Sequence, residues 1–121
     1  MLALKNELFI VMEPILIVTN FPEKKQAIAF AKKIVDDRLA ACVNILGTCT
    51  SVYNWQGKTE SADEIPVLIK TQKQHYTKVE QAITAMHPYE LPEVITVPLS
   101  GGLPAYLQWI KNTTLPSDDN K

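Results

Sequence analysis

The sequence predicts an α+β domain with two helices packed on one face of an antiparallel sheet. Three observations carry this. Apolar runs of strand length alternate with stretches whose apolar residues recur at helical spacing. Two of the strand-like runs are unusually long and meet at Gln56-Gly57-Lys58, which reads as a hairpin. A proline-led stretch from Pro104 adds a short C-terminal helix.

Residues 1–12 read as a flexible extension, because Met12 stands directly before the first clear strand. Pro14–Thr19 is that strand. Asn20 then offers a helix cap, with Pro22 in the first turn and Glu23 three residues after the cap. Ala27, Phe30, Ala31, Ile34 and Val35 follow the spacing of one buried helical face, and the helix ends near Arg38. Two hairpin arms come next, from Val43 to Trp55 and from Lys58 to Thr71. A second helix runs from about Gln74 to Met86, with Val79, Ala82, Ile83 and Met86 as its stripe. Pro88 stops it, since the residue before a proline is pushed out of helical geometry. Glu93–Leu99 is a further strand. The last helix carries Tyr106, Leu107, Trp109 and Ile110. The domain thus spans 13–112, and 113–121 reads as a polar tail. This order is β-α-β-β-α-β plus a terminal helix, the split arrangement called ferredoxin-like.

The hairpin between the second and third strands has a functional consequence. At ~3.3 Å per residue, an arm of more than a dozen residues reaches on the order of 40 Å. Ordinary strands have roughly 5–6 residues. An uncovered ribbon of that length is a bare sheet edge. The simplest cover is another copy of the chain, so the hairpin predicts a homo-oligomer. Apolar residues on both faces of the second arm, Ile65, Val67 and Ile69 against Leu68, point the same way.

Composition excludes several partners. A chain of 121 residues with 46% hydrophobic content and a formal charge of −1 is one ordinary globular domain without a basic nucleic-acid footprint. No apolar run is long enough to span a bilayer. Lys5 is followed by Glu7 with no small-residue cleavage site after it, so a secretory leader is not expected. Cys42 and Cys49 fall in one arm, on opposite faces and ~23 Å apart if the strand is regular, too far to bond. They read as buried or half-buried thiols of a reducing, cytoplasmic compartment. Phosphate loops, a nucleophile elbow and Cys-x-x-Cys or His-x-x-x-His zinc pairs are missing from the sequence. His75 reads as a solvated group and Gly101-Gly102 as a turn.

Three segments together resemble the CutA divalent-cation-tolerance family: Leu39-Ala40-Ala41-Cys42-Val43-Asn44-Ile45, the hairpin Ser51-x-Tyr53-x-Trp55-x-Gly57-Lys58 with Glu64 and Ile69-Lys70-Thr71, and His87-Pro88-Tyr89-Glu90-Leu91-Pro92-Glu93. The resemblance covers about residues 14–112. It implies a ferredoxin-like subunit in a homotrimer whose hairpins wrap neighbouring subunits, and a plan similar to the PII signalling proteins. It also implies a link to metal tolerance, with copper bound by some members and no established reaction.

His87 and Glu93 are the candidate metal ligands, held by a loop that two prolines stiffen. An imidazole and a carboxylate suit copper or another borderline divalent cation, weakly bound. The structural alternative is a histidine stabilised at a helix C-terminus and a lysine-paired glutamate. In copper-binding relatives a cysteine ends the first strand and a second histidine precedes the His-Pro-Tyr motif; here Thr19 and Met86 hold those positions. Tyr53, Trp55, Gly57 and Glu64 are assigned to the subunit interface, where aromatic residues anchor contacts. Lys70, Tyr89 and Trp109 are assigned to a cleft between subunits, while Glu64 and Lys70 also read as an ion pair across strands or subunits. Tyr106 and Trp109 are expected to cover a sheet edge. The expected function is a non-enzymatic CutA-type homotrimer. The alternatives are a PII-like small-molecule sensor, or an enzyme using His87, Tyr89 and Glu93.

Overall fold

The computed structural model describes residues 13–116; the extension assigned to 1–12 lies outside them. Strand β1 is Pro14–Phe21, helix α1 Lys24–Asp36, β2 Cys42–Ile45, β3 Cys49–Trp55 and β4 Lys58–Gln72. A 3-10 turn at Lys73–His75 leads into α2, Tyr76–Met86; β5 is Ile95–Pro98 and α3 Pro104–Thr113. The strands lie in the order β2-β4-β1-β5, and β3 continues the first arm along the outer half of β4. Every pairing is antiparallel. This is the ferredoxin-like topology.

Ile15, Ile17, Phe21, Ile65, Val67 and Ile69 point to one side of the sheet and meet Ala27, Phe30 and Ile34 of α1 and Val79 and Ile83 of α2. That layer is the core. Val35 and Met86, expected in the helical stripes, are exposed. Each sits at the edge of its apolar arc, where periodicity alone does not distinguish core from rim.

The start of α1 differs from expectation. Asn20 does not cap it; β1 continues through Phe21, with Asn20 opposite Pro66, and Glu23 is the cap residue with no side-chain bond. A cap contributes about 1 kcal/mol. Complete burial of a phenylalanine contributes about 1.5–3 kcal/mol. Phe21 is fully buried and packs 5.2 Å from Phe30, so extending the strand wins. At the other end Arg38 takes a positive φ of 60°, and the amides of Leu39 and Ala40 both return to the Ile34 carbonyl.

The first hairpin arm is not one strand. Three residues, Leu46-Gly47-Thr48, stand against two, Ile65 and Pro66, between the Ile45–Val67 and Cys49–Glu64 pairs. That one extra residue is a bulge. It reverses the alternation beyond it. Cys42 pairs with Lys70 and Cys49 with Glu64, both on even positions of β4, so the cysteines share one face rather than opposite ones. Cys42 is half-buried, and Cys49 is exposed rather than buried. The turn has positive φ at both Gln56 (52°) and Gly57 (83°), the two-residue geometry that matches strand twist. Asn54 Oδ1 accepts from the Gly57 amide at 3.2 Å.

Helix α3 lies against β4 and β1, not over an edge. Ile110 and Thr114 are buried, and Arg38 Nη1 donates to the Leu115 carbonyl at 3.0 Å. Packing therefore continues past residue 112. His75 is half-buried beside this segment, with Nε2 enclosed and unpartnered among the described residues, and is not the solvated group expected. The other face of the sheet keeps Leu16, Val18, Pro66 and Leu68 half-buried and leaves Ile95 and Val97 exposed.

Candidate functional site

The His-Pro-Tyr segment is built by the end of α2. The His87 amide closes the last turn on the Ile83 carbonyl at 2.8 Å. Pro88 then forces His87 into extended geometry, φ −85° and ψ 137°. This turns the imidazole inward over Phe21, with ring centroids 4.7 Å apart and planes at 25°. His87 is buried. Its Nδ1 accepts the Tyr89 amide at 3.0 Å, and its Nε2 lies 2.6 Å from the Asn20 carbonyl. An amide donor on Nδ1 requires a lone pair there, which assigns the ring hydrogen to Nε2, donating to Asn20. Both ring nitrogens are engaged.

Asn20 ties the loop together. Its carbonyl takes His87, and its side-chain Nδ2 donates to Glu93 Oε1 at 3.1 Å. Glu93 is exposed and has this asparagine, not a lysine, as its partner. Tyr89 leans on His87, centroids 4.7 Å apart. Burial, with Glu64 and Tyr53 close by, holds the Tyr89 phenol above the usual tyrosine range. The structure thus gathers His87, Tyr89, Glu93, Glu64 and Tyr53 at one pole.

The remaining predicted residues lie elsewhere. Trp55 and Gly57 are at the hairpin tip, and Trp55 is exposed. Lys70 is near the base of the ribbon, where its Nζ donates to the Tyr106 hydroxyl at 3.4 Å and sits 5.6 Å from that ring's centroid. Trp109 packs against Tyr106 with ring centroids 5.3 Å apart and planes tilted by 36°. Within one chain, Lys70 and Trp109 do not join Tyr89.

As a preformed metal centre this pole fits poorly. Both nitrogens of His87 are in use, and the carboxylate of Glu93 is shared with Asn20. Among the described residues, no three His, Cys, Asp or Glu side chains converge. The Thr19 hydroxyl is buried and has no partner among the described residues, and Met86 is exposed. Asn20 and Phe21 are the residues that sequence reasoning missed here. Asn20 carries the residue type of a cap, and nothing local links it to a histidine 67 positions away.

Comparison with known proteins agrees with this architecture. Residues 15–113 match the family model described as CutA1 divalent ion tolerance protein. A divalent-cation tolerance protein CutA of Thermus thermophilus is 38% identical over 103 residues, covering 85% of this chain and 99% of that protein. A chloroplastic protein CutA of Arabidopsis thaliana is 39% identical over 100 residues, 83% of this chain, which spans only 55% of that longer protein. A solved structure titled as the periplasmic divalent cation tolerance protein CutA of Archaeoglobus fulgidus superposes with a TM-score of 0.82 at 33% identity, covering 84% of this chain and 99% of that one. A match over nearly all the described residues, with the same topology, places the chain in the CutA1 divalent ion tolerance family.

Proposed function

We propose that this chain serves divalent-cation tolerance as a non-enzymatic homotrimer, and that it takes copper or another divalent cation weakly at His87 and Glu93. The carrying observation is the outer hairpin. Val52 is 69% exposed and Tyr53 and Trp55 are each 43% exposed, on a ribbon with no core beneath it. Large apolar groups held out on a two-stranded ribbon call for a partner surface. A further copy supplies one, and a ring of copies leaves no ribbon bare.

The geometry of the pole supports weak rather than tight binding. A cation reaches Nδ1 of His87 only by displacing the Tyr89 amide, and reaches Glu93 by competing with Asn20. Loss of those bonds offsets the coordination gained. The free thiols, one of them exposed, suit a reducing compartment, and we place the protein in the cytoplasm. Among the described residues, no helix is long and apolar enough to cross a membrane.

Light scattering at micromolar concentration should find a particle three times the 13.6 kDa subunit; a single subunit-sized species overturns the assembly. Titration of Cu(II) or Zn(II) by calorimetry should show weak binding that His87→Ala abolishes and Glu93→Gln reduces. Unchanged affinity in both variants rejects these ligands.

A further inference from the structure

We infer that Glu64 and Lys70 form an ion pair between copies, the carboxylate of one subunit meeting the ammonium of the next. This rests on the homotrimer reading and names the polar contact that orients it.

Glu64 is only 7% exposed. Among the described residues, the ion pairs are Lys33–Asp37 and Lys73–Glu13, and no donor reaches the Glu64 side chain. The residue is held close against the fold, yet its carboxylate oxygens are not among the enclosed unpartnered atoms, so the group stays open to a cation brought by a neighbouring copy. Lys70 is the complementary case. It is half-buried and faces the Tyr106 ring and hydroxyl, with no carboxylate among the described residues.

Both residues occupy even positions of β4, so both project from the same face of one strand. Six residues of strand separate them by on the order of 20 Å, so they cannot meet within a chain. Lys58, equally distant at the tip, is exposed and satisfied by water. A surface that carries an anion at one height and a cation at another, neither with a counter-ion among the described residues, is complementary to a second copy shifted along the ribbon. Such a contact is head-to-tail, the type that closes into a ring. It brings the pole of Tyr89 and Tyr53 in one subunit against Tyr106 and Trp109 in the next, and so completes the cleft that one chain leaves divided.

Charge exchange in the full chain tests this. Glu64→Lys and Lys70→Glu should each raise the subunit dissociation constant at least about tenfold, the scale of a desolvated charge pair. The double exchange should recover most of the loss; a double variant no tighter than the combined singles overturns the pairing. A second measurement avoids reversed charges. With Cys42→Ser and Cys49→Ser in place, Glu64→Cys/Lys70→Cys should give covalent trimers with a short thiol-to-thiol crosslinker, and Glu64→Cys alone should not. An absence of crosslinks in a trimeric sample also overturns the pairing. A wild-type chain that is itself monomeric fails at the earlier step, the assembly.

Discussion

The two halves of the long ribbon share one strand and differ in almost everything that holds them. At the base, β4 runs between β1 and β2, with Ile65, Val67 and Ile69 buried under the helices. At the tip, β4 pairs only with β3, and every residue from Val52 to Ser61 is exposed. The base is held by the subunit's own core. The tip has hydrogen bonds and a well-formed turn, and an isolated two-stranded hairpin is marginal in water. Stability of the tip and stability of the subunit are therefore separate quantities.

The largest expected effect tests the base. Ile69→Ala should cost about 2–5 kcal/mol and lower the melting midpoint at every protein concentration. Trp55→Ala should instead leave subunit stability intact and weaken assembly by about 2 kcal/mol, so that melting becomes concentration-dependent. Equal effects of both variants on a dilute, dissociated sample would erase the distinction between the halves. A smaller gain is expected at the turn. Gln56 sits at φ 52°, so Gln56→Gly should stabilise the hairpin by about 0.5 kcal/mol, read from cross-strand amide exchange. The last effect is a slope rather than a step. Burial holds the His75 imidazole below its ordinary value of 6.5, and Lys78 adds to this against an opposing contact with the Thr114 backbone. The folded state thus favours neutral His75. Its contribution is complete above pH 6.5 and is lost as acidity draws protons first onto the unfolded chain. Urea titrations across pH 5 to 7 should show a fall that His75→Gln flattens; an identical slope in both proteins rejects the assignment.

Much of this fold is legible in the residues themselves. Ala27, Phe30, Ala31 and Ile34 declare a buried helical face by spacing, and Pro88 and Pro104 mark helix boundaries by covalent geometry. The second arm is legible from Lys58 to Thr71 through the turn before it and the Val67–Thr71 run, and the strand itself carries on through Pro66 to Gln72. The bulge is harder to see. Gly47 is its local sign, a lone glycine within a strand pattern, yet its reversal of the side-chain alternation depends on how many residues stand opposite. The candidate site is less legible still. His87 and Glu93 stand out by type, but whether their polar atoms are free is decided by Asn20, and Asn20 looks like a helix cap to any reading that cannot see across the fold. The Glu64 problem is legible only through burial, which sequence does not report.

The odd residue at Leu46-Gly47-Thr48 sets the handedness of presentation for everything beyond it. It turns the outer blade so that Cys49, Ser51, Tyr53 and Trp55 share a side with Glu64, while Thr50, Val52 and Asn54 take the reverse. Shortening that segment by one amino acid would set two residues against two and keep Cys49 opposite Glu64, so the blade would present the same side. The surplus residue is what lets an odd spacing along the chain deliver both aromatics there.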